Sequence, residues 1–273
     1  MGVHHMGKFS ASILALSLAL LAGGAAAEGK AASKKGAKEI RACMARNLVS
    51  RGALRDLALE KFDKEGKVGD LRMRLYWKPS KTGGTRVHLK IVDPPAMAGS
   101  IYLLLQEGYN EEIYFALPGV DHGLRITGQN TSESLWGTDF SYGEIKEVLG
   151  LLVTGTTTKG ADAKIADRAV WTLETDVAAA GAYNKVISSV DQKSCTLLKS
   201  EFVGKSGKTR KVLEADVSTL LQADKYWTVL GYTMSDLEKG THTTLNLTDL
   251  SFDESMAEKM FDPRRFAEPP GSR

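Results

Sequence analysis

Between Leu54 and Leu250 apolar and polar residues alternate with a period of two over most of the chain. Leu71, Met73, Leu75 and Trp77 are interleaved with Arg72, Arg74 and Tyr76, and Val87, Leu89 and Ile91 with His88 and Lys90. Ile101, Leu103 and Leu105 follow, then Ile113, Phe115 and Leu117. Alternation of this kind predicts strands with one face on a core. Further strand-like runs cover 168–175, 183–190, 195–203, 208–217, 225–234 and 241–250. Glu65-Gly66, Pro79 to Gly84, Pro94-Pro95 and Gly204 to Gly207 supply turn chemistry between them. With a first strand near 54–62, the pattern predicts about eleven antiparallel strands in a large curved sheet or open half-barrel. There is no repeat of fixed period.

Three stretches change to helical spacing. Ile40, Cys43, Met44 and Leu48 mark one face of a helix of about 14 residues ending near Gly52. Ser141-Tyr142-Gly143-Glu144 has the form of a capping box, and Ile145, Val148, Leu149 and Leu152 then share one helical face. A third short helix is expected over 253–261, with Met256, Met260 and Phe261 apolar. Few helices against many strands leave the concave face to be filled by side chains, covered by the helices, or occupied by an apolar ligand. Core and cavity lining look alike in sequence, so the Leu71 to Trp77 stripe fits either.

The first 27 residues read as a cleaved signal peptide: His4, His5 and Lys8, an apolar run from Phe9 to Gly24, and Ala25-Ala26-Ala27 before Glu28. The apolar run is short of the roughly 20 residues that span a bilayer. Residues 28–38 are small and basic and suit a flexible leader; a domain over 39–266 and a tail over 267–273 complete the expected organisation. A soluble protein of the periplasm, without a lipid anchor, is the simplest outcome. Cys43 and Cys195 are the only cysteines, and an exported chain predicts their pairing.

Charge and motifs exclude more than they assign. Lys and Arg number 36 against 33 Asp and Glu, a balance too even for a nucleic-acid binder. His88, His122 and His242 are isolated, so no metal site of standard spacing is expected; His88, on the polar side of its strand, and His122, in a turn, are expected to be solvated. Gly204-Lys205-Ser206-Gly207-Lys208-Thr209 lacks the first glycine of a phosphate-binding loop and lies between strands, as a hairpin turn. Asp139 and Glu144 stand where they favour a helix start. No nucleophile and base constellation is visible, so neither an enzyme nor a cofactor is expected. Arg125, between Leu124 and Ile126, is a candidate for an anionic head group or a plain surface arginine.

Tyr114-Phe115-Ala116-Leu117-Pro118-Gly119, Leu124-Arg125-Ile126 and Gly137-Thr138-Asp139-Phe140-Ser141-Tyr142 together resemble the outer-membrane lipoprotein-sorting proteins of the LolA-like superfamily. Cys43-Met44-Ala45-Arg46-Asn47 and Phe261-Asp262-Pro263-Arg264-Arg265-Phe266 look similar too, so the resemblance runs from Ile40 to Phe266. It implies an open half-barrel with short helices over its concave face, and a periplasmic carrier sheltering lipid or lipoprotein acyl chains. Partners would then be an inner-membrane transporter and an outer-membrane acceptor.

On that reading the cavity is lined by Leu71, Met73, Leu75, Trp77, Val87, Leu89, Ile91, Leu103, Leu105, Ile113 and Phe115, with Ile145, Val148, Leu149 and Leu152 as a lid. Sheltering a chain in transit recovers about 0.8 kcal/mol per CH₂. The alternative is an accessory interaction module of an inner-membrane exporter, with the same fold, a filled core and no cargo.

Overall fold

The computed structural model describes residues 35–108, 110–120, 122–177, 181–248 and 250–268. The expected signal peptide, most of the leader and the end of the tail lie outside these residues. The chain begins with helix α1 (Ala37–Ala45), then β1 (Ala53–Phe62), β2 (Lys67–Pro79), β3 (Thr85–Asp93), β4 (Ile101–Glu107), β5 (Asn110–Ala116) and β6 (Leu124–Ile126). A long connection over 127–155 contains only two 3₁₀ turns, Gly128–Ser132 and Ile145–Leu149. Next come β7 (Thr156–Lys159), β8 (Ala163–Ile165), β9 (Arg168–Asp176), β10 (Tyr183–Asp191), β11 (Leu197–Gly204) and β12 (Thr209–Ala215). After β13 (Leu220–Ala223), β14 (Tyr226–Val229), β15 (Gly231–Asp236), β16 (Thr241–Leu247) and β17 (Ser251–Phe252), a last 3₁₀ turn covers Glu258–Phe261.

Fifteen strands form one antiparallel sheet in the order β6-β5-β4-β3-β2-β1-β16-β15-β12-β11-β10-β9-β7, with β17 beside β1 and β8 beside β9. The sheet is not closed into a barrel. It exceeds the expected eleven because β6, β7, β8 and β17 are edge or flanking pieces of two to four residues, too short to show a period. The run 225–234 is also two elements: among the described residues β14 pairs only with β13, and Gly231 opens β15.

The register sets two faces. Leu57 and Leu59 lie opposite Met73 and Leu71, which continue to Ile91 on β3, while Leu75 and Trp77 lie opposite Leu89 and Val87. Leu89 and Val87 in turn face Tyr102 and Leu104. These residues form the main core with Leu173, Val186, Phe202, Leu213 and Met234 from the other half of the sheet. Ile40, Cys43 and Met44 of α1 join it, as do Leu135, Trp136, Phe140, Ile145 and Val148 of the long connection. This inner face is therefore covered chiefly by irregular chain and one short helix. The Ser141 helix is one 3₁₀ turn, although its reach-back bond is present, with the Ser141 N–H donating to Glu144 Oε2 at 2.8 Å. Helix α1 starts inside the expected leader and stops at Ala45, because the groups beyond it enter tertiary bonds instead.

The outer face has its own cover. Residues 253–268 cross β3 to β5 as a strap, burying Met256, Phe261 and Phe266 against Ile101, Leu103 and Ala116. His88 lies beneath it, only 3% exposed, so the expectation of a solvated histidine is corrected. Burial lowers its pKa to about 4.

Candidate functional site

The inner face has two unlike ends. Around β10 to β16 it carries Ser188, Ser200, Lys211, Asp236 and Thr243, all buried. The long connection docks its own polar side chains there. The Asp139 carboxylate accepts from the hydroxyls of Thr241 at 2.5 Å and Thr243 at 2.7 Å. Lys211 Nζ donates to Asp139 O at 2.7 Å and to Glu144 Oε2 at 3.0 Å, and the Tyr183 hydroxyl donates to the other Glu144 oxygen. Lys146 pairs with Glu111. Glu147 is wholly buried. Burial pushes its pKa up to about 7, against the opposing pull of the Ser200 hydroxyl and the Lys146 ammonium. Breaking a buried pair costs several kcal/mol, so this segment is pinned.

The opposite end is apolar and aromatic. A cavity of about 80 Å³ lies between Leu75 and Trp77 of β2, Tyr226, Trp227 and Val229 of β14, Tyr232 of β15, and the Val148–Gly150 turn. Leu48, Val49, Leu197 and Leu250 add apolar wall, while Arg55, whose guanidinium donates to the Thr228 hydroxyl at 3.0 Å, and Asn47 and Thr196 add polar wall. The chain after α1 holds this end together. Asn47 Nδ2 donates to Ser194 O at 2.8 Å while its Oδ1 accepts from Trp227 N at 3.1 Å. The Ser50 and Tyr226 hydroxyls are 2.9 Å apart, and Trp77 Nε1 donates to Val49 O at 2.8 Å. Cys43 and Cys195 are disulfide-bonded, with Cα atoms 5.6 Å apart, and tie α1 to the β10–β11 turn.

Of the residues expected to line a cavity, Leu75 and Trp77 do so. Leu71, Met73, Val87, Leu89, Ile91 and Ile113 share the inner face but are packed into its core, with Phe115 against it. Leu103 and Leu105 are corrected: they belong to the outer cluster, because Tyr102 and Leu104 are the residues facing Leu89 and Val87. Of the expected lid, Val148 and Leu149 touch the cavity, whereas Ile145 and Leu152 are buried in the core. Arg125 does not line this cavity. It sits on edge strand β6 opposite Tyr114 of the outer cluster and pairs with Glu112 at 2.7 Å, with more than half its side chain exposed. Tyr226, Trp227 and Tyr232 were not anticipated; the break at Leu230-Gly231 is the signal that separates their strands.

Among the described residues no helix is long and apolar enough to cross a membrane. An open antiparallel sheet whose inner face carries an irregular cover and an aromatic cavity defines a LolA-like fold. Solved structures with this fold include a putative outer membrane lipoprotein-sorting protein domain from Vibrio parahaemolyticus, at 22% identity and TM-score 0.70, covering 82% of this chain and 95% of that one. A DUF1329 family protein from Desulfovibrio piger aligns at 16% identity and TM-score 0.71, over 82% of this chain and 95% of its own. A LolA superfamily protein from Nitrosomonas europaea aligns at 16% identity and TM-score 0.61, over 83% and 97%. At these identities the likeness is one of fold. No curated protein matches the sequence. A family model described as an uncharacterized protein matches residues 83–268, most of the chain, and the chain belongs to that family.

Proposed function

We propose that this protein is an exported carrier that shelters an acyl chain, or another apolar ligand, at the aromatic end of its inner face. The observation that carries the reading is the cavity bounded by Trp77, Tyr226, Trp227 and Tyr232 between the sheet and its cover. On the scale on which a cavity of about 150 Å³ takes benzene, about 80 Å³ holds only about three carbons. Loading therefore requires part of the wall to move. The 141–152 segment is a poor moving part, because Glu144 and Asp139 are bound into the polar end. The β13–β14 hairpin is a better one, since among the described residues it pairs with no strand of the main sheet and is attached through the neutral groups of Asn47 and Ser50 and the Arg55–Thr228 bond rather than through a buried ion pair. Transfer across the envelope between an inner-membrane transporter and an outer-membrane acceptor fits the sorting function in the name of the Vibrio relative.

The test is native mass spectrometry of gently purified protein, together with titration of tryptophan fluorescence by an acyl ligand. Bound lipid, and a fluorescence change lost on substituting Trp77 and Trp227 by Phe, are expected. No bound lipid and no response would remove the carrier reading. A second reading, an interaction module docking on an inner-membrane exporter, is favoured by how completely the 128–153 connection fills the inner face. Co-purification with envelope membranes without any lipid would support it.

A further inference from the structure

A second recess lies beside the aromatic cavity. It is an open groove of about 420 Å³ between α1 and the ends of the β2–β3 and β4–β5 hairpins. Met44, Leu48 and Gly150 line both the groove and the cavity, so one thin wall separates them. Arg41, Met44, Ala45 and Leu48 fall at i, i+3, i+4 and i+7, which places them on one side of the helix and the turn that follows it. The facing wall contains Gly83 and Gly108, both with positive φ, where a side chain would be strained and would narrow the groove. Methionine and leucine side chains can swing at low cost, so Met44 and Leu48 form a wall a chain can pass.

The groove's charge says what enters. Among the described residues Arg41 is its one charged lining residue. The guanidinium donates to the neutral Thr157 hydroxyl at 3.1 Å, and among the described residues no carboxylate pairs with it. A cation with most of its donors uncommitted, one helical turn from an apolar passage, suits an anionic head group bound bidentately. On the benzene scale, groove and cavity together hold about twenty carbons, the length of a single chain.

We propose that the groove under α1 is the head-group and entry subsite for a single-chain amphiphile with a carboxylate or phosphate head, Arg41 binding the head while the chain passes Met44 and Leu48 into the aromatic cavity. This rests on the carrier reading. The disulfide from Cys43, two residues beyond Arg41, ties this helix to the β10–β11 turn.

The test compares dodecanoate and dodecyl phosphate with dodecanol at low ionic strength, read by calorimetry. Wild type is expected to bind at least one anion about tenfold more tightly than the alcohol. Arg41→Gln should lower anion affinity to the alcohol's level, and Leu48→Trp should weaken all three ligands by blocking the passage. Arg125→Gln, on the outer face, should leave the preference as it is. Equal affinities for anion and alcohol in wild type, or a preference that survives Arg41→Gln, would overturn the inference and leave the carrier reading standing. If no ligand of the three binds, the carrier reading itself falls.

Discussion

Lys211 and Glu144 meet at 3.0 Å inside the folded chain, with side chains only 6% and 3% exposed. One comes from the sheet and the other from the connection that covers it. The pair is the clasp between them, with Tyr183, Asp139 and Thr243 arranged around it. Removing one member leaves an uncompensated buried charge. Lys211→Met should therefore destabilise the protein by about 3–5 kcal/mol, with Glu144→Gln similar. The double variant should cost less than the sum of the two. Denaturant unfolding measures all three, and a loss below about 1 kcal/mol for Lys211→Met would mean that the cover is held by its apolar contacts alone.

Two buried groups tilt stability with pH in opposite senses. Folded Glu147 keeps its proton up to about pH 7 against 4.5 for the ordinary carboxyl, so its contribution is present below 4.5 and is lost as pH rises to about 7. His88 stays neutral down to about pH 4 against 6.5, so stability is lost as pH falls through that window. Each amounts to about 3 kcal/mol on the linkage scale. Between the two windows' overlap limits the slopes offset, and wild-type stability should be nearly flat. Glu147→Gln should uncover a loss on acidification, and His88→Leu a gain. Urea unfolding at stepped pH checks this; single variants with slopes as flat as wild type would refute it.

Gly123 makes room for the strap. A Cβ on it would stand 2.2 Å from the Phe266 ring, so Gly123→Ala must displace Phe266. Phe266→Ala alone should cost about 3 kcal/mol. In the Phe266→Ala background the glycine substitution should become nearly neutral, because its obstacle is gone. A cost for Gly123→Ala that is the same in both backgrounds would place its effect elsewhere.

The disulfide spans 152 positions of sequence. Cys43→Ala with Cys195→Ala should lower stability by about 2–5 kcal/mol, and reductant should lower the Tm of wild type alone. A reductant effect of equal size on the double variant would trace the change to something other than this bond.

How far the sequence could be read depended on whether one face or two were buried. On β2, Leu71, Met73, Leu75 and Trp77 alternate with exposed or half-exposed partners, so phase and face were legible. On β4, Ile101, Tyr102, Leu103 and Leu104 are all buried, because the strap covers one side and the core the other. An apolar run without alternation carries no phase, which is why Leu103 and Leu105 were placed on the wrong face. His88 misled for the same reason. The clasp was hidden differently: Lys211, Asp139 and Glu144 have the composition of surface positions, and only long-range contact reveals that they are internal. At the aromatic end, Tyr226 and Trp227 read as part of one long strand until Gly231 is seen to break it.

The strap also has a bearing on how the chain is made. Ile101 and Leu103 leave the ribosome long before Phe261 and Phe266, so the outer side of β4 is greasy and uncovered through most of synthesis. A half-finished chain that collapsed early would present that surface to its neighbours. The sequence thus favours folding that waits for its distal segment, so that the two sides of β4 are sealed at different times.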